Sequence, residues 1–264
     1  MWNMLKSSWA YRGFIFGSVK REFQSRYRNS MLGATWVILQ PLAKILVFTL
    51  VFSQVMRGRL PGVDSSFGYS IFLCAGLLTW GLFVDLLSRS QNMFPDNANL
   101  LKKINFPHIC LPIIVSVNAC AGFAITISLF AVFLLLSGNF HGLAFLAIVP
   151  VLLLQILFSI GLGMVIGVLN VFFRDIGQLF GIVLQFWFWV TPIVYPLASL
   201  PDWAQRIVML NPMTPLVEAY QGIFVQGALP LWASLWPTAA LACVLCFLGM
   251  RLFQKRAGEI VDEL

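Results

Sequence analysis

Six stretches of this chain are long and apolar enough to cross a lipid bilayer, and that alone removes most folds from consideration. A spanning helix needs about 20 mostly apolar residues. The candidates are roughly 33–56, 68–90, 109–137, 143–170, 176–195 and 231–252. Composition agrees: 10% of the residues are charged, against about 25% in a soluble domain. The 24 Phe and 9 Trp suit a lipid-facing protein with interfacial aromatics. The expected fold is an all-α integral membrane domain of six transmembrane helices.

An even number of spans places both termini on one side, and the basic residues choose that side. Lys6, Arg12, Lys20, Arg21, Arg26 and Arg28 precede span one; Arg89, Lys102 and Lys103 follow span two; Arg174 follows span four; Arg251, Lys255 and Arg256 end span six. The opposite loops hold only Arg57, Arg59 and Arg206. Both ends are therefore expected in the cytoplasm, with the protein in the inner (cytoplasmic) membrane. A net charge of +7 would suggest nucleic acid in a soluble protein. Here it is explained by location, and no nucleic-acid partner is expected. No cleavable signal peptide is visible.

Three segments lie outside simple spanning. Residues 4–28 place Leu5, Trp9, Phe16, Val19, Phe23 and Tyr27 on one helical face and Lys6, Arg21, Gln24 and Arg28 on the other. This reads as an amphipathic helix in the cytoplasmic interface. Residues 97–106 form a short basic plug closed by Pro107. Residues 199–226 are too apolar for a solvated loop. Pro201 and Pro215 suit first helical turns, Thr214 a cap, and Asn211-Pro212 a helix end. Two helices of about ten residues cannot cross a bilayer and suit a re-entrant hairpin buried in protein.

Catalytic signatures are missing. There is no G-x-x-x-x-G-K-[ST], H-E-x-x-H or G-x-S-x-G, and His108 and His141 fall on opposite sides. Cys243-x-x-Cys246 has no second pair or nearby His, so packing is the better reading. No metal and no cofactor bound by this chain are expected, nor is an enzyme. Lys44, with Gln40 one turn earlier, is the basic residue within a span. It either faces an interior path or snorkels. Asp85 and Arg89, four apart, are expected to pair. In span five Gln178, Gly181, Gln185, Trp189 and Pro192 make a polar, small stripe, and Gly177-x-x-x-Gly181 permits close helix contact. Its aromatics, Phe186 to Trp189, are either an interfacial belt or faces on which sugar rings stack.

Four motifs in order carry a resemblance across essentially the whole chain: RYRNSMLGATWVILQPL (26–42), NANLLKKINFP (97–107), NVFFRDIGQL (170–179), and WFWVTPIVYPLASLP with LNPMTPLVEAYQGIF (187–201 and 210–224). The chain resembles the membrane subunit of type-2 ABC exporters, in particular the branch that moves lipid-linked O-antigen, capsule or teichoic acid. The resemblance implies two copies of this subunit, two copies of a separate ATPase that holds ATP and Mg, and a lipid-linked polysaccharide substrate, all in contact with membrane lipid. It makes Asn97, Leu100, Leu101, Lys102, Lys103, Ile104, Asn105 and Phe106 a coupling helix docked in the ATPase. It assigns Gln40, Lys44, Gln178, Gln185, Trp187, Trp189 and Tyr195 to a translocation path between the copies. Pro192, Pro201, Asn211, Pro212, Thr214, Pro215 and Glu218 fall to an outer gate. A type-2 ABC permease for a drug or lipid is the alternative. A membrane enzyme or an adaptor fits less well.

Overall fold

A computed structural model describes residues 11–27, 32–51, 67–98, 102, 110–173 and 175–263. Among them all regular structure is helical, as expected of apolar runs whose backbone must bond within itself. The helices are α1 Arg12–Tyr27, α2 Trp36–Leu50, α3 Gly68–Asn92, α4 Cys110–Leu136, α5 Ile148–Phe172, α6 Asp175–Val190, α7 Asp202–Met209, α8 Thr214–Gln226 and α9 Trp232–Glu263. Four segments are long and apolar enough to cross a membrane: Gly68–Asn92, Cys110–Leu136, Gly142–Phe172 and Trp232–Arg256. The first and fifth expected spans contain the shorter apolar helices α2 and α6. Residues 52–56 of the first lie outside the described residues.

α3 is the hub. Ile71, Leu73, Ala75, Phe83, Leu86 and Leu87 on it are buried all round its axis, against α4, α5 and α8. Such density requires backbones to approach closely, which small residues permit. A Cβ on Gly163 of α5 would lie 2.4 Å from Ser90 Cβ, and one on Gly167 would lie 2.6 Å from the Ser90 carbonyl oxygen. On the other side of α5, a Cβ on Gly161 would meet the Cys246 backbone nitrogen of α9 at 2.7 Å. α5 is thus held between α3 and α9 by glycine-lined seams. Gln155, fully buried on α5, donates from Nε2 to the Thr79 carbonyl at 2.7 Å. An interhelical polar bond of this kind adds about 0.6–2 kcal/mol in an apolar surround.

One end of the bundle gathers Ile15 of α1, Met93 and Phe94 after α3, Leu111 and Ile114 of α4, Val168 and Val171 of α5, and Ile260 of α9 into a second apolar cluster. The amino-terminal arm and the carboxy-terminal helix therefore share one end. The arm departs from its expected pattern. Ile15 is buried, with Phe14 and Val19 packed beside it, whereas Phe16 is 67% exposed. Ile15 packs into protein on one side of the helix while Phe16 stands exposed on another, so a single apolar stripe described it poorly. Leu5 and Trp9 lie outside the described residues.

At the other end α7 and α8 form a hairpin that turns into the bundle. Leu216, Val217, Tyr220 and Phe224 of α8 are almost wholly buried. Thr214 is not the expected cap: α8 has Met213 at that position and no side-chain cap. The Thr214 hydroxyl instead donates to the Val208 carbonyl at 2.7 Å, closing the turn. Pro215 does sit in the first turn of α8, while Pro201 precedes α7 as its flanking residue. α8 ends on Gly227 at φ +63°, where a Cβ would also lie 2.6 Å from the His141 ring. Gly227→Ala is therefore expected to destabilise by about 1–2 kcal/mol, read as a lower thermal midpoint in detergent.

Candidate functional site: a cavity beside Lys44, an open helix face and a braced hairpin

Pro41 lies inside α2. It has no N–H, so the Val37 carbonyl one turn earlier loses its helical donor. Val37, Gln40, Pro41 and Lys44 line one wall of a cavity of about 250 Å³. α3 contributes Gly81 and Asp85, and α4 contributes Gly122, Phe123 and Thr126. Gln40 and Lys44 thus share with Asp85 and Thr126 a space whose other walls, Ile45, Phe48, Leu78 and Phe123 among them, are mostly apolar. The Asp85 carboxylate accepts from Arg89 Nε through both oxygens at 2.9 Å, as its spacing predicts. Sequence reasoning missed the third member: Arg89 Nη1 also donates to Glu22 of α1 at 2.5 Å. Glu22 was hidden because it sits in a stretch read for its apolar and basic faces.

α6 is barely covered. Only Leu184 is buried, and Leu179, Ile182, Val183, Phe186 and Trp189 stand exposed beside Gln178 and Gln185. Gln185 and Trp189 line a cleft of about 530 Å³ with Trp80, Ser88 and Gly181. Gln178 lies in a separate cleft of about 530 Å³ near the arm end, with Gln91, Asn92 and Asn170. Three openings therefore share the path residues, and within one chain they do not merge. The two glycines of Gly177-x-x-x-Gly181 differ. A Cβ on Gly177 would lie 2.5 Å from Gln91 Nε2, whereas one on Gly181 would meet nothing within 4 Å.

Trp187 departs from its expected place. It turns inward against Trp80 and Phe83, with ring centroids at 6.4 and 5.3 Å, and its Nε1 donates to Asn211 Oδ1 at 2.7 Å. The helical turn between 187 and 189 separates the two tryptophans: Trp189 is 66% exposed. Trp187 is a strut between α6 and the hairpin, and Trp189 belongs to the open face. Tyr195 donates to the Trp189 carbonyl at 2.9 Å, which ties the segment after α6 back to that helix.

Asn211 is the centre of the hairpin brace. Its Nδ2 donates to the Thr191 hydroxyl at 2.8 Å, and its Oδ1 also accepts from the Met213 amide at 3.0 Å. Thr238 of α9 donates to the Pro212 carbonyl at 3.0 Å. Gln221 donates to the carbonyls of Pro192 at 3.2 Å and Ile193 at 3.4 Å, and Tyr69 of α3 donates to Val194 at 2.8 Å. Pro192 is buried in this network, while Glu218 projects from the exposed side of α8. Asn211→Ala would leave the Trp187 N–H and the Met213 amide without this partner, whereas the Thr191 hydroxyl keeps its bond to the Trp187 carbonyl; the loss is about 3 kcal/mol at 1–3 kcal/mol per stranded group. Trp187→Phe removes a single donor and is expected to cost about 1 kcal/mol. Thermal unfolding of the two variants in detergent should reproduce that order.

Of the coupling residues, Asn97 ends the 3₁₀ turn Pro95–Asn97 and donates from Nδ2 to the Met93 carbonyl at 2.8 Å. Lys102 is exposed. Leu100, Leu101, Lys103, Ile104, Asn105 and Phe106 lie outside the described residues. Among the described residues no group of His, Cys, Asp or Glu is arranged to hold a metal. Cys246 donates to the Leu157 carbonyl at 3.2 Å, a packing contact between α9 and α5.

The sequence is 32% identical to the O-antigen export system permease protein RfbA of Myxococcus xanthus over 266 residues, covering all of both chains. It is 29% identical to the protein of that name from Klebsiella pneumoniae over 258 residues, 96% of each. It is 24% identical to the polysialic acid transport protein KpsM of Escherichia coli over 247 residues, 92% of this chain and 93% of that one. The profile of the ABC-2 type transporter family matches residues 15–225, which run from the first turn of α1 to the last turn of α8 and take in the cavity, the open face and the hairpin, so this chain is a member of the ABC-2 type transporter family.

Proposed function

We propose that the chain is the permease subunit of an ATP-driven exporter that moves a lipid-linked polysaccharide, of the O-antigen class, across the cytoplasmic membrane. The observation that carries this reading is the end-to-end similarity to O-antigen export permeases. The open face of α6 supports it. A helix that leaves Gln178, Gln185 and Trp189 outward, beside five exposed apolar side chains, has a covering surface still to be supplied. In this reading a second copy supplies it, and the facing α6 stripes frame a channel. Carboxamides both donate to and accept from hydroxyl groups, and an indole offers an apolar ring face. A polar, uncharged chain such as a glycan can slide past such groups without binding tightly to any one.

Energy comes from a separate ATPase that holds ATP and Mg. Two copies of it engage the 97–106 segments on the cytoplasmic side, where both termini also lie. The hairpin α7–α8 is re-entrant and forms the outer exit, with Pro192, Asn211, Pro212 and Thr214 at its root and Glu218 at its exposed side. α2, α3 and α6 line the path, so Gln40 and Lys44 meet the substrate in the cytoplasmic half.

Deleting the gene in its own host tests the substrate. The expected outcome is a cell surface stripped of its long polysaccharide, with lipid-linked polymer accumulating inside and export restored by the wild-type gene. Unchanged surface polysaccharide with altered drug or lipid export would instead favour another ABC-2 substrate. Trp189→Ala is expected to lower the complemented level about tenfold while the protein stays in the membrane. That is the effect of removing an aromatic stacking face worth about 1.4 kcal/mol at each passage.

A further inference from the structure

Resting on the exporter reading, we propose that Glu22 is a positioning residue that fixes span one over the cavity holding Gln40, Lys44 and Asp85. Arg89 does not need Glu22 to be neutralised, because Asp85 already chelates its Nε through both oxygens at 2.9 Å. Even so, Glu22 reaches from the arm to Arg89 Nη1 at 2.5 Å, and its second oxygen accepts from Asn118 Nδ2 of α4. One carboxylate on α1 is thus held by two different spans. The Arg89 side chain is 14% exposed and that of Glu22 43%, so the contact is sheltered on the arginine side and open to screening on the other.

The position of Glu22 in the chain gives the contact its consequence. Upstream, Phe14, Ile15 and Val19 anchor α1 in the apolar cluster at the end shared by α1 and α9. Downstream, about nine residues after α1 lies α2, whose Gln40 and Lys44 face Asp85 across the cavity. Glu22 pins the last turns of α1, and α2 begins close enough in the chain for its placement to depend on that anchor. Charge points the same way. Glu22, Asp85, Arg89 and Lys44 sum to zero, so neutralising Glu22 leaves this group of side chains, of which Lys44 and Asp85 line the cavity, with a net positive charge. An apolar contact alone would anchor α1 equally well but would do neither.

The test uses the full chain with its ATPase in cells lacking the native gene. Glu22→Gln is expected to leave the protein in the membrane at wild-type amount and to lower export about tenfold. Glu22→Asp should restore at least half of it. Arg89→Lys should behave like Glu22→Gln, because one ammonium cannot keep both carboxylates in the geometry of a guanidinium fork. A maleimide reagent, corrected for labelling of the native cysteines, then reads span one directly. Labelling of Lys44→Cys should change severalfold when Glu22→Gln is added. Unchanged labelling together with wild-type export in both Glu22→Gln and Arg89→Lys would overturn the proposal. So would loss of export only in proportion to loss of protein. If the wild type exports no polysaccharide, the exporter reading fails, while the labelling arm still decides whether Glu22 positions span one.

Discussion

Gly167→Leu is expected to eliminate the folded protein from the membrane. A Cβ at this position would lie 2.6 Å from the Ser90 carbonyl oxygen and 3.5 Å from Met93 and Phe94 side-chain carbons. The nearest atom belongs to a backbone, so no rotamer change relieves the contact. α3 and α5 would have to separate along the seam they share through Gly163 and Gly167. Overpacking a fitted interior costs about 1–3 kcal/mol even when neighbours can yield. Here the neighbour cannot yield, and about 3 kcal/mol or more is expected, a large part of the margin of a typical domain. Gly181→Ala is the matched control. Nothing lies within 4 Å of its would-be Cβ, and exchanging a helical Gly for Ala favours the helix by up to about 1 kcal/mol. Quantified membrane fractions should show Gly167→Leu nearly absent and Gly181→Ala at or above wild type. A bulkier Gly181→Leu reports on something else. If it spares accumulation yet disrupts a cross-linkable dimer, a second copy packs on that face.

Reversing the charge of Lys102 and Lys103 together to Glu is expected to abolish export while leaving the protein in the membrane. In the proposed coupling role Leu100, Leu101 and Ile104 would dock in the ATPase and the two lysines would orient the segment. Lys102 is exposed, so it need not support the fold for the substitution to act at a partner. Like charges brought together at an interface cost several kcal/mol, and every 1.4 kcal/mol is a factor of about ten in docking. Export should therefore fall about a hundredfold or more. ATP hydrolysis by the partner should lose its dependence on substrate. Leu101→Pro should give the same phenotype by breaking the helix rather than by charge. Wild-type export from the charge reversal would remove the coupling role from this segment.

The sequence announced the features that rest on length and composition. Apolar runs of bilayer length placed most of the helices, and α1 and the end of α9 meet in one apolar cluster. The Asp85–Arg89 pair followed from one helical turn of spacing. What escaped was set by contacts between distant parts of the chain. Glu22 could not be linked to Arg89, 67 residues away, from any local pattern. Gly163 and Gly167 lay in a run that already read as a span, where hydropathy says nothing of which glycines touch a neighbour. Gln155 escaped for a similar reason: one amide in so apolar a helix hardly alters its hydropathy. Trp187 and Trp189 looked equivalent as aromatics two residues apart. The turn of the helix sends one to Asn211 and leaves the other outside. Thr214 before Pro215 had the chemistry of a cap, but the tight turn from α7 took its hydroxyl for the Val208 carbonyl.

The central claim is tested most directly by reconstitution. The chain is purified with its ATPase, placed in lipid vesicles loaded with lipid-linked O-antigen, and supplied with ATP and Mg on the ATPase side. Polymer reaching the far side is measured with a lectin that cannot cross the membrane. The account predicts ATP-dependent movement that requires both subunits and is lost with Lys102 and Lys103 reversed. Vesicles that hydrolyse ATP yet move no polysaccharide, while moving a drug or a simple lipid, would contradict it.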